Sequence, residues 1–303
     1  MIKVEDIGCT AAYAFAHFGT KFGFKEYLWC MKQVAQMGFA CFEMEILRAE
    51  HLQMYTKEGI RNIRDKADEL GLAIPLFTAW FTQPFLYSVD PDRRAKGLKL
   101  FQQSAEIGRD IGSTYIHLGS DFPPEFVQAY SKEYEGAPPR LLTVPEGYTW
   151  KGIWEDYVNV VGACVDIVQG LGMKLSVEPR ANSLIWNAEG FLRLHEQVGS
   201  NSLGVTIDLL HHDYHRENLS LVVEKLIDYL YAIQLCDSDG ASLNHLPLGQ
   251  GKIDFKAFFQ TLQKFDYKGL LNLELYGRGT EGRVNESYLE SRLYVQKILK
   301  KID

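Results

Sequence analysis

The sequence predicts an α/β protein of the (β/α)8 TIM-barrel class. Two observations predict it: short apolar segments typical of β-strands alternate with segments of helical spacing, and this alternation occurs eight times. In addition, no Pro/Ser-rich linker or block of charge divides the 303 residues, a length that one barrel can accommodate. We therefore expect a single domain over residues 1–303.

The predicted strands share short runs rich in apolar residues, and they are Val4–Thr10, Cys41–Ile46, Ala73–Thr78, Thr114–Leu118, Lys174–Glu178, Gly204–Ile207, Tyr231–Cys236 and Leu270–Leu275. The predicted helices share apolar residues at every third or fourth position, and they are Lys25–Met37, Lys57–Leu70, Asp92–Ile111, Ile153–Leu171, Glu189–Val198, Leu219–Tyr229, Phe255–Phe265 and Val284–Ile302. One helix follows each strand, as a parallel barrel requires.

One long irregular stretch, at about 120–150, follows the fourth strand and is rich in proline and aromatic residues. Loops of this length inside a compact domain are usually functional. The loops that follow the strands of a barrel surround its C-terminal mouth, so we expect this stretch to lie over the mouth. A surface excursion, or a contact between two copies in a homo-oligomer, is the alternative.

The overall charge argues against partners that carry dense negative charge. The chain has 32 Lys+Arg and 39 Asp+Glu, which gives a net charge of −7. Proteins that bind nucleic acid or an anionic membrane surface usually present a basic surface, so we expect neither partner. A small-molecule substrate is favoured instead.

The cysteines and the N-terminus favour a cytoplasmic protein. Five cysteines, an odd number without a CxxC pair, indicate neither a disulfide framework nor a cysteine-rich zinc site. The N-terminus lacks a basic segment followed by an apolar run, and no uncharged apolar stretch reaches the ~18 residues that span a bilayer.

Carboxylates directly follow apolar residues at the ends of three predicted strands. They are Glu178, Asp208 and Glu274 on strands five, six and eight, while strand seven carries Gln234. Strand ends converge at one mouth of a barrel, and a buried acid needs a cation or hydrogen-bond donors, so three such acids indicate a shared site. Carboxylate and amide oxygens suit Mn²⁺, Mg²⁺ or Co²⁺, with Zn²⁺ if a histidine joins. For any one acid, a helix cap or a structural ion pair is the alternative.

Four phrases in the second half of the chain carry a family resemblance: Val177–Arg180, Asp208–His211, Leu246–Asp254 and Leu273–Glu274. They resemble motifs of the divalent-metal xylose isomerase-like barrels, a superfamily of sugar isomerases, ketose 3-epimerases, inosose dehydratases and apurinic endonucleases. The resemblance covers most of the chain but is specific only from Lys174 onward.

The resemblance implies a metal site formed by Glu178, Asp208 and Glu274, with Gln234 where the family usually places a histidine. Replacing that nitrogen by an amide oxygen shifts the preference of the site from zinc towards manganese or magnesium. We therefore expect a divalent metal cofactor, with Mn²⁺ favoured over Mg²⁺, Co²⁺ or Zn²⁺.

Five further residues are candidates for substrate contacts. The resemblance implies His117 at the end of strand four and His245 in the loop after strand seven. The family's epimerases carry a substrate-gripping arginine that is missing from its usual place here, and Arg180 or Arg278 could substitute for it. Trp80 is one of several aromatic residues expected at the mouth, where an aromatic wall suits a sugar or cyclitol face.

The expected chemistry begins with removal of a proton from a carbon α to a carbonyl. A divalent ion stabilises the resulting enediolate as a Lewis acid, Glu178 and Glu274 can take and return the proton, and His211 can polarise the carbonyl. On the second strand, we expect one of Glu43 and Glu45 to point inward, towards a polar ligand.

The leading hypothesis is a metal-dependent isomerase or epimerase of a keto-sugar or cyclitol. The alternative is a lyase on the same scaffold, either a dehydratase or an enzyme that cleaves a C-glycoside. An apurinic-type endonuclease and a non-catalytic sugar-binding barrel are less favoured, the endonuclease because the chain is acidic.

Overall fold

The computed structural model describes residues 2–129 and 141–302. The strands are β1 (Ile7–Cys9), β2 (Met44–Glu45), β3 (Leu76–Thr78), β4 (Tyr115–Gly119), β5 (Val127–Ala129), β6 (Leu141–Leu142), β7 (Lys174–Glu178), β8 (Leu203–Asp208), β9 (Leu230–Leu235) and β10 (Leu270–Leu273). The α-helices are α1 (Ala12–Phe18), α2 (Phe24–Gln36), α3 (Lys57–Leu70), α4 (Gln83–Leu86), α5 (Pro91–Ile111), α6 (Trp150–Gly170), α7 (Ala188–Val198), α8 (Leu209–Tyr214), α9 (Leu219–Leu226), α10 (Phe255–Lys264) and α11 (Val284–Ile302).

Eight of these strands form one parallel sheet in the order β1, β10, β9, β8, β7, β4, β3, β2. The sheet closes between β1 and the segment that leads into β2. There, the Cys9 amide donates to the Cys41 carbonyl at 3.0 Å, and the Glu43 amide donates to the Cys9 carbonyl at 2.9 Å. A closed parallel sheet surrounded by helices is a TIM barrel, so the predicted fold class is confirmed.

Side chains alternate along the strands between the barrel interior and the layer beneath the helices. On β7, Ser176 and Glu178 face the interior, where Ser176 Oγ lies 2.6 Å from Thr206 Oγ1 of β8. Leu175 and Val177 point the other way and are fully buried in the apolar core. The interior is therefore polar, and its functional groups lie where the strands end.

The predicted elements differ locally from the observed ones, and the second and third strands are shorter than predicted. The first predicted strand begins too early, because residues 4–6 form a 3₁₀ turn and β1 starts at Ile7. The helices α1, α4 and α8 were not predicted, and each has only one or two turns. Such short helices give too little periodicity to be recognised.

Part of the long stretch at 120–150 lies outside the described residues, namely 130–140. The described part contains β5 and β6, which pair antiparallel, and Asp121, which borders the cavity described below. The expectation that the whole stretch lies over the mouth stays a prediction. Among the helices of the described residues, none combines the length and apolar character needed to cross a membrane.

Candidate active site

The C-terminal ends of the strands surround a cavity of about 310 Å³. Seven of the ten site residues predicted from the sequence line it: Trp80, Glu178, Arg180, His211, Gln234, His245 and Glu274. Of the other three, Asp208 and His117 lie directly behind this wall, and Arg278 lies apart. A set chosen from positions far apart in the sequence thus converges on one cavity.

Asp208 is the fully buried centre of the site. It ends β8, and its Oδ1 accepts hydrogen bonds from the Leu210 amide at 2.8 Å and from Cys236 Sγ at 3.3 Å. The bond from the Leu210 amide caps α8. Its Oδ2 lies 2.8 Å from His245 Nε2 and 3.6 Å from His211 Nε2. Burial opposes ionisation, but His245 and His211 outweigh it and hold the pKa of Asp208 below its usual range.

Asp208, His211 and His245 form a compact group, close enough together to hold a metal ion. Each offers one ligand atom, and these atoms lie within 4.8 Å of one another. The His245 ring also stacks on Tyr276, with ring centroids 4.0 Å apart, which fixes its orientation. The Nδ1 atoms of both histidines are buried and have no hydrogen-bond partner within the described residues.

Glu178, at the end of β7, is also buried and is surrounded by cationic or polar groups. Its Oε1 lies 3.4 Å from His211 Nε2, and its Oε2 lies 3.2 Å from His117 Nε2 and 3.8 Å from Arg180 Nε. Burial raises the pKa of Glu178, but Arg180 and the two histidines more than offset it, so the pKa is lowered. Glu178 is therefore ionised at neutral pH.

His117 is fully buried behind Glu178, away from the cavity wall. Its Nδ1 lies 3.2 Å from Thr206 Oγ1, and its Nε2 lies 3.2 Å from Glu178 Oε2. These contacts orient the Glu178 carboxylate. The predicted contact between His117 and substrate stays a prediction, and this placement does not favour it.

Glu274 has the opposite electrostatic environment. Burial, together with the negative charges of Asp208, Glu178 and Glu43, raises the pKa of Glu274 well above its usual range. Within the described chain, Glu274 Oε2 and Gln234 Oε1 are buried without a hydrogen-bond partner. Buried polar atoms are rarely left unpaired, so both oxygens indicate an additional bound group.

His211 lines the cavity between two acids, and it is neutral. Burial lowers its pKa to about 4, although the neighbouring charges of Asp208 and Glu178 act in the opposite direction. A neutral imidazole keeps one nitrogen lone pair, which is available to a metal ion or to a hydrogen-bond donor.

Arg180 and Trp80 form one wall of the cavity. The guanidinium carbon of Arg180 lies 4.8 Å from the Trp80 ring centroid, within the range of a cation–π contact. Arg180 Nη1 also lies 3.9 Å from Asp121 Oδ1. Arg278, the other arginine candidate, is exposed and does not line the cavity.

The loop that carries His245 is held by Asp237, two residues after β9. The Asp237 carboxylate accepts hydrogen bonds from the amides of Gly249 at 2.8 Å and Ile253 at 3.2 Å. A Cβ on Gly251 would lie 2.3 Å from Asp237 Oδ1, so only glycine fits there. The motif-like phrase 246–254 therefore has a structural role, which is to fix the position of His245.

The other residues that line the cavity were not assigned to the site, and they include Thr10, Glu43, Glu45 and Gln83. The expectation that only one of Glu43 and Glu45 points inward is wrong, because residues two apart on a strand share a face. Burial is the main cause that raises the pKa of Glu43 to about 8 and that of Glu45 to about 7. Thr10 and Gln83 carried no signal, since a single hydroxyl or amide forms no motif.

Residues 31–298 match the family described as xylose isomerase-like TIM barrel. The chain belongs to this family. Most of the barrel is included in the match, along with all ten site residues predicted from the sequence.

Two curated relatives share about a quarter of their aligned residues with this member of the family. Fructoselysine 3-epimerase from Escherichia coli O157:H7 is 26% identical over 152 residues, which cover 49% of this chain and 52% of the relative. An uncharacterized protein from Methanocaldococcus jannaschii is 26% identical over 148 residues, 44% of this chain and 50% of the relative. The chain thus spans about half the length of these relatives.

Solved structures resemble the barrel over nearly its whole length. D-psicose 3-epimerase from Clostridium cellulolyticum H10, solved with D-tagatose, has a TM-score of 0.76 and 17% identity, covering 97% of this chain and 99% of that one. The 3-keto-D-glucoside 4-epimerase from E. coli has a TM-score of 0.75 and 16% identity, covering 96% and 99%. At such low identity, the likeness establishes the fold.

Proposed function

We propose that the protein is a divalent-metal-dependent epimerase or isomerase of a small sugar, either a keto-sugar or a cyclitol. The observation that carries the proposal is a pair of carboxyl groups, Glu178 and Glu274, that face one cavity, where the surroundings lower the pKa of Glu178 and raise the pKa of Glu274. Two carboxyl groups whose surroundings separate their pKa values are suited to act as base and acid. The activities of fructoselysine 3-epimerase and of the structurally similar sugar epimerases support the same reaction class.

The donor set fits a divalent ion. Asp208 is central, and the oxygens of Glu178, Gln234 and Glu274 would complete an oxygen-rich site, with His245 as a nitrogen donor. A cation would compensate two features of the site. One is the pair of unpaired oxygens on Gln234 and Glu274, and the other is the crowding of negative charge around Glu274. When bound, such an ion supplies positive charge that stabilises negative charge developing on the substrate oxygens. Mn²⁺ or Mg²⁺ suits this set best, because most of its donors are oxygens.

The proton transfer uses the two carboxyl groups that face the cavity. Glu178, as a carboxylate, takes the proton from the carbon next to the substrate carbonyl, and the electron pair of the broken C–H bond moves into the carbonyl. Glu274, as an acid, returns a proton. Return to the same carbon from the opposite face inverts it, whereas return to the neighbouring carbon moves the carbonyl, with the hydroxyl proton of the first carbon passing to the former carbonyl oxygen. Each carboxylate has two oxygens, so one can face the ion and the other the substrate.

Other side chains position these groups. His117 orients Glu178 from behind, and Arg180 lies beside Glu178 and above Trp80, where its charge favours the ionised base and the ring offers a face to the sugar. The neutral ring of His211 lies between Glu178 and Asp208 and is placed to contact a substrate oxygen.

The test is solvent exchange. Mn²⁺-loaded protein is incubated in D2O with D-fructose, D-tagatose or D-psicose, and proton NMR follows loss of the C3 proton signal and appearance of the epimer. Glu178→Gln or Glu274→Gln should abolish the exchange with the fold intact, while Glu58→Gln, at an exposed position of α3, should not. Elemental analysis by mass spectrometry of protein purified without chelator should find a divalent metal that the Glu178→Gln/Glu274→Gln variant loses.

The outcomes are separable. An unsaturated product in place of a reprotonated sugar would establish a lyase instead. Metal-loaded protein that exchanges no proton with any of the three sugars would contradict the proposed reaction for ketohexoses. Full activity in either carboxylate variant would remove the two-carboxylate mechanism.

A further inference from the structure

The wall of the cavity opposite the acids at the ends of β7 and β8 carries buried polar side chains, and those of Thr10 and Gln83 have polar atoms without a hydrogen-bond partner in the described residues. Thr10 follows β1, Glu45 ends β2 and Gln83 begins α4 just after β3, so the three come from adjacent strands. Each is at most 5% exposed and lines the cavity. This arc of the barrel is distinct from the arc that holds Asp208.

Gln83 is the most informative of these residues. Both its Oε1 and its Nε2 are buried and have no hydrogen-bond partner in the described part of the chain, and the same is true of Thr10 Oγ1. An amide with neither its donor nor its acceptor satisfied is unusual in a protein interior, where such groups are nearly always paired. Because Thr10 and Gln83 both line the cavity, a ligand bound there is the natural source of the missing partners.

The charge of this wall restricts the ligand. Glu43 and Glu45 are buried acids at this wall, whereas Arg180 is the one Lys or Arg among the described lining residues and already faces Glu178 and Asp121. A phosphate or carboxylate group here would lie against two acids with no cation of its own, which burial makes strongly unfavourable. Hydroxyl groups suit the wall, because they donate to carboxylate and amide oxygens and accept from the amide nitrogen.

We propose that Thr10, Glu45 and Gln83 form a second subsite that binds hydroxyl groups at the end of the sugar remote from the reacting carbon. The inference rests on the proposed function and narrows its substrate class to neutral sugars with a free hydroxylated tail. Trp80 contributes by a hydrogen bond to the Glu45 carboxylate, which holds that acceptor in place. The Gln83 carbonyl oxygen accepts a hydrogen bond from one hydroxyl, and the Gln83 amide nitrogen donates to another.

The experiment uses Gln83→Met and Thr10→Val, which keep side-chain size and remove the unpaired atoms. Isothermal titration measures the binding of D-fructose, D-tagatose and D-psicose to the Mn²⁺-loaded protein. The tightest ligand is then compared with its 6-deoxy and 6-phosphate counterparts. Each lost hydrogen bond should weaken binding about tenfold. Gln103→Met, at an exposed site on α5, is the matched control and should bind as wild type does.

The deoxy sugar separates a direct contact from a structural effect. Wild type should bind the 6-deoxy sugar about tenfold more weakly than the parent, and Gln83→Met should bind the two equally. The 6-phosphate should bind wild type at least tenfold more weakly than the parent. The midpoint of thermal unfolding of ligand-free Gln83→Met should equal or exceed that of wild type, because the substitution removes two unsatisfied buried atoms and leaves no new one.

Equal binding of the parent and deoxy sugars by wild type, a preference for the 6-phosphate, or failure of all three sugars to bind would overturn the inference. The proposed function has a separate readout, namely exchange of the C3 proton in D2O. Selective sugar binding without exchange would retain the subsite and reject the reaction. Exchange without any effect of Gln83→Met would retain the reaction and reject the subsite.

Discussion

Replacement of Glu43 by glutamine should stabilise the metal-free protein at neutral pH. Glu43 is 2% exposed, and one of its oxygens accepts a hydrogen bond from Asn272 inside the barrel. Burial, partly opposed by the Asn272 hydrogen bond and reinforced by the charges of Glu45 and Glu178, raises its pKa from the usual 4.5 to about 8. Glutamine keeps the acceptor for Asn272 and cannot ionise.

The magnitude follows from proton linkage. Between pH 4.5 and 8, Glu43 is ionised in the unfolded chain and protonated in the folded one, so the folded state binds more protons and stability falls as the pH rises. At pH 7 the distance from 4.5 is about 2.5 pH units, and each unit corresponds to about 1.4 kcal/mol. The free energy of unfolding is therefore lowered by about 3 kcal/mol. Glu43→Gln should recover up to this amount at pH 7 and nothing near pH 4.5. For a chain of this length, that corresponds to a rise of ~5 °C in the unfolding midpoint.

The assay is thermal unfolding of EDTA-treated protein, followed by circular dichroism from pH 4.5 to 8. Wild type, Glu43→Gln and the exposed control Glu58→Gln are compared. The Glu43→Gln curve should separate from the other two as the pH rises. Parallel curves over the whole range would refute the argument that Glu43 stays protonated in the folded protein.

Three further outcomes are expected. His117→Phe should lower kcat about tenfold to a hundredfold and leave KM nearly unchanged, because only the orientation of Glu178 is lost; a change confined to KM would contradict this. Gly119→Ala should raise KM for sugar several-fold in steady-state kinetics, because the new Cβ would lie 2.9 Å from Trp80. An unchanged KM would mean that the sugar binds elsewhere. Asp208→Asn should abolish stoichiometric metal in elemental analysis, and retained metal would move the proposed ion away from Asp208.

The fold was predictable because its signal is repeated. Eight strand–helix units each carry the same periodicity, so errors at the ends of single elements do not change the class. β7 matches its predicted bounds, whereas the start of the first strand fails, because Val4 is buried in a 3₁₀ turn that apolar character alone cannot distinguish from a strand. Short helices such as α8 escape detection, since six residues show less than two turns of periodicity.

The candidate site was only partly predictable, because the sequence shows which residues end the strands but not how their side chains and the loops are arranged. Strand-end acids such as Glu178 could be found, because the barrel guarantees that strand ends converge. The position of His117 behind Glu178, and the pairing of His245 with Asp208, depend on side-chain directions and on a loop fold that no local pattern specifies. The unpaired amide of Gln83 is visible only once its surroundings are known.

The relation between Gln234 and His245 leads to the last prediction. Gln234 stands where the family usually has a histidine, and His245, from the following loop, lies 2.8 Å from Asp208 at the same mouth. If His245 supplies the nitrogen donor that Gln234 lacks, then His245→Gln should weaken Mn²⁺ binding at least tenfold, measured by titration of chelator-treated protein. Adding Gln234→His to that variant should restore the affinity, and Gln234→His alone should tighten binding or widen the choice of metal.

The control for this pair is His51→Gln, which changes a buried histidine of a different pocket and should leave metal affinity unchanged. Full Mn²⁺ affinity in His245→Gln would mean that His245 serves only as the hydrogen-bond partner of Asp208. Loss of affinity without rescue by Gln234→His would mean that Gln234 does not face the ion. Rescue would mean that one nitrogen donor is required, and that it can come either from the end of β9 or from the loop held by Asp237.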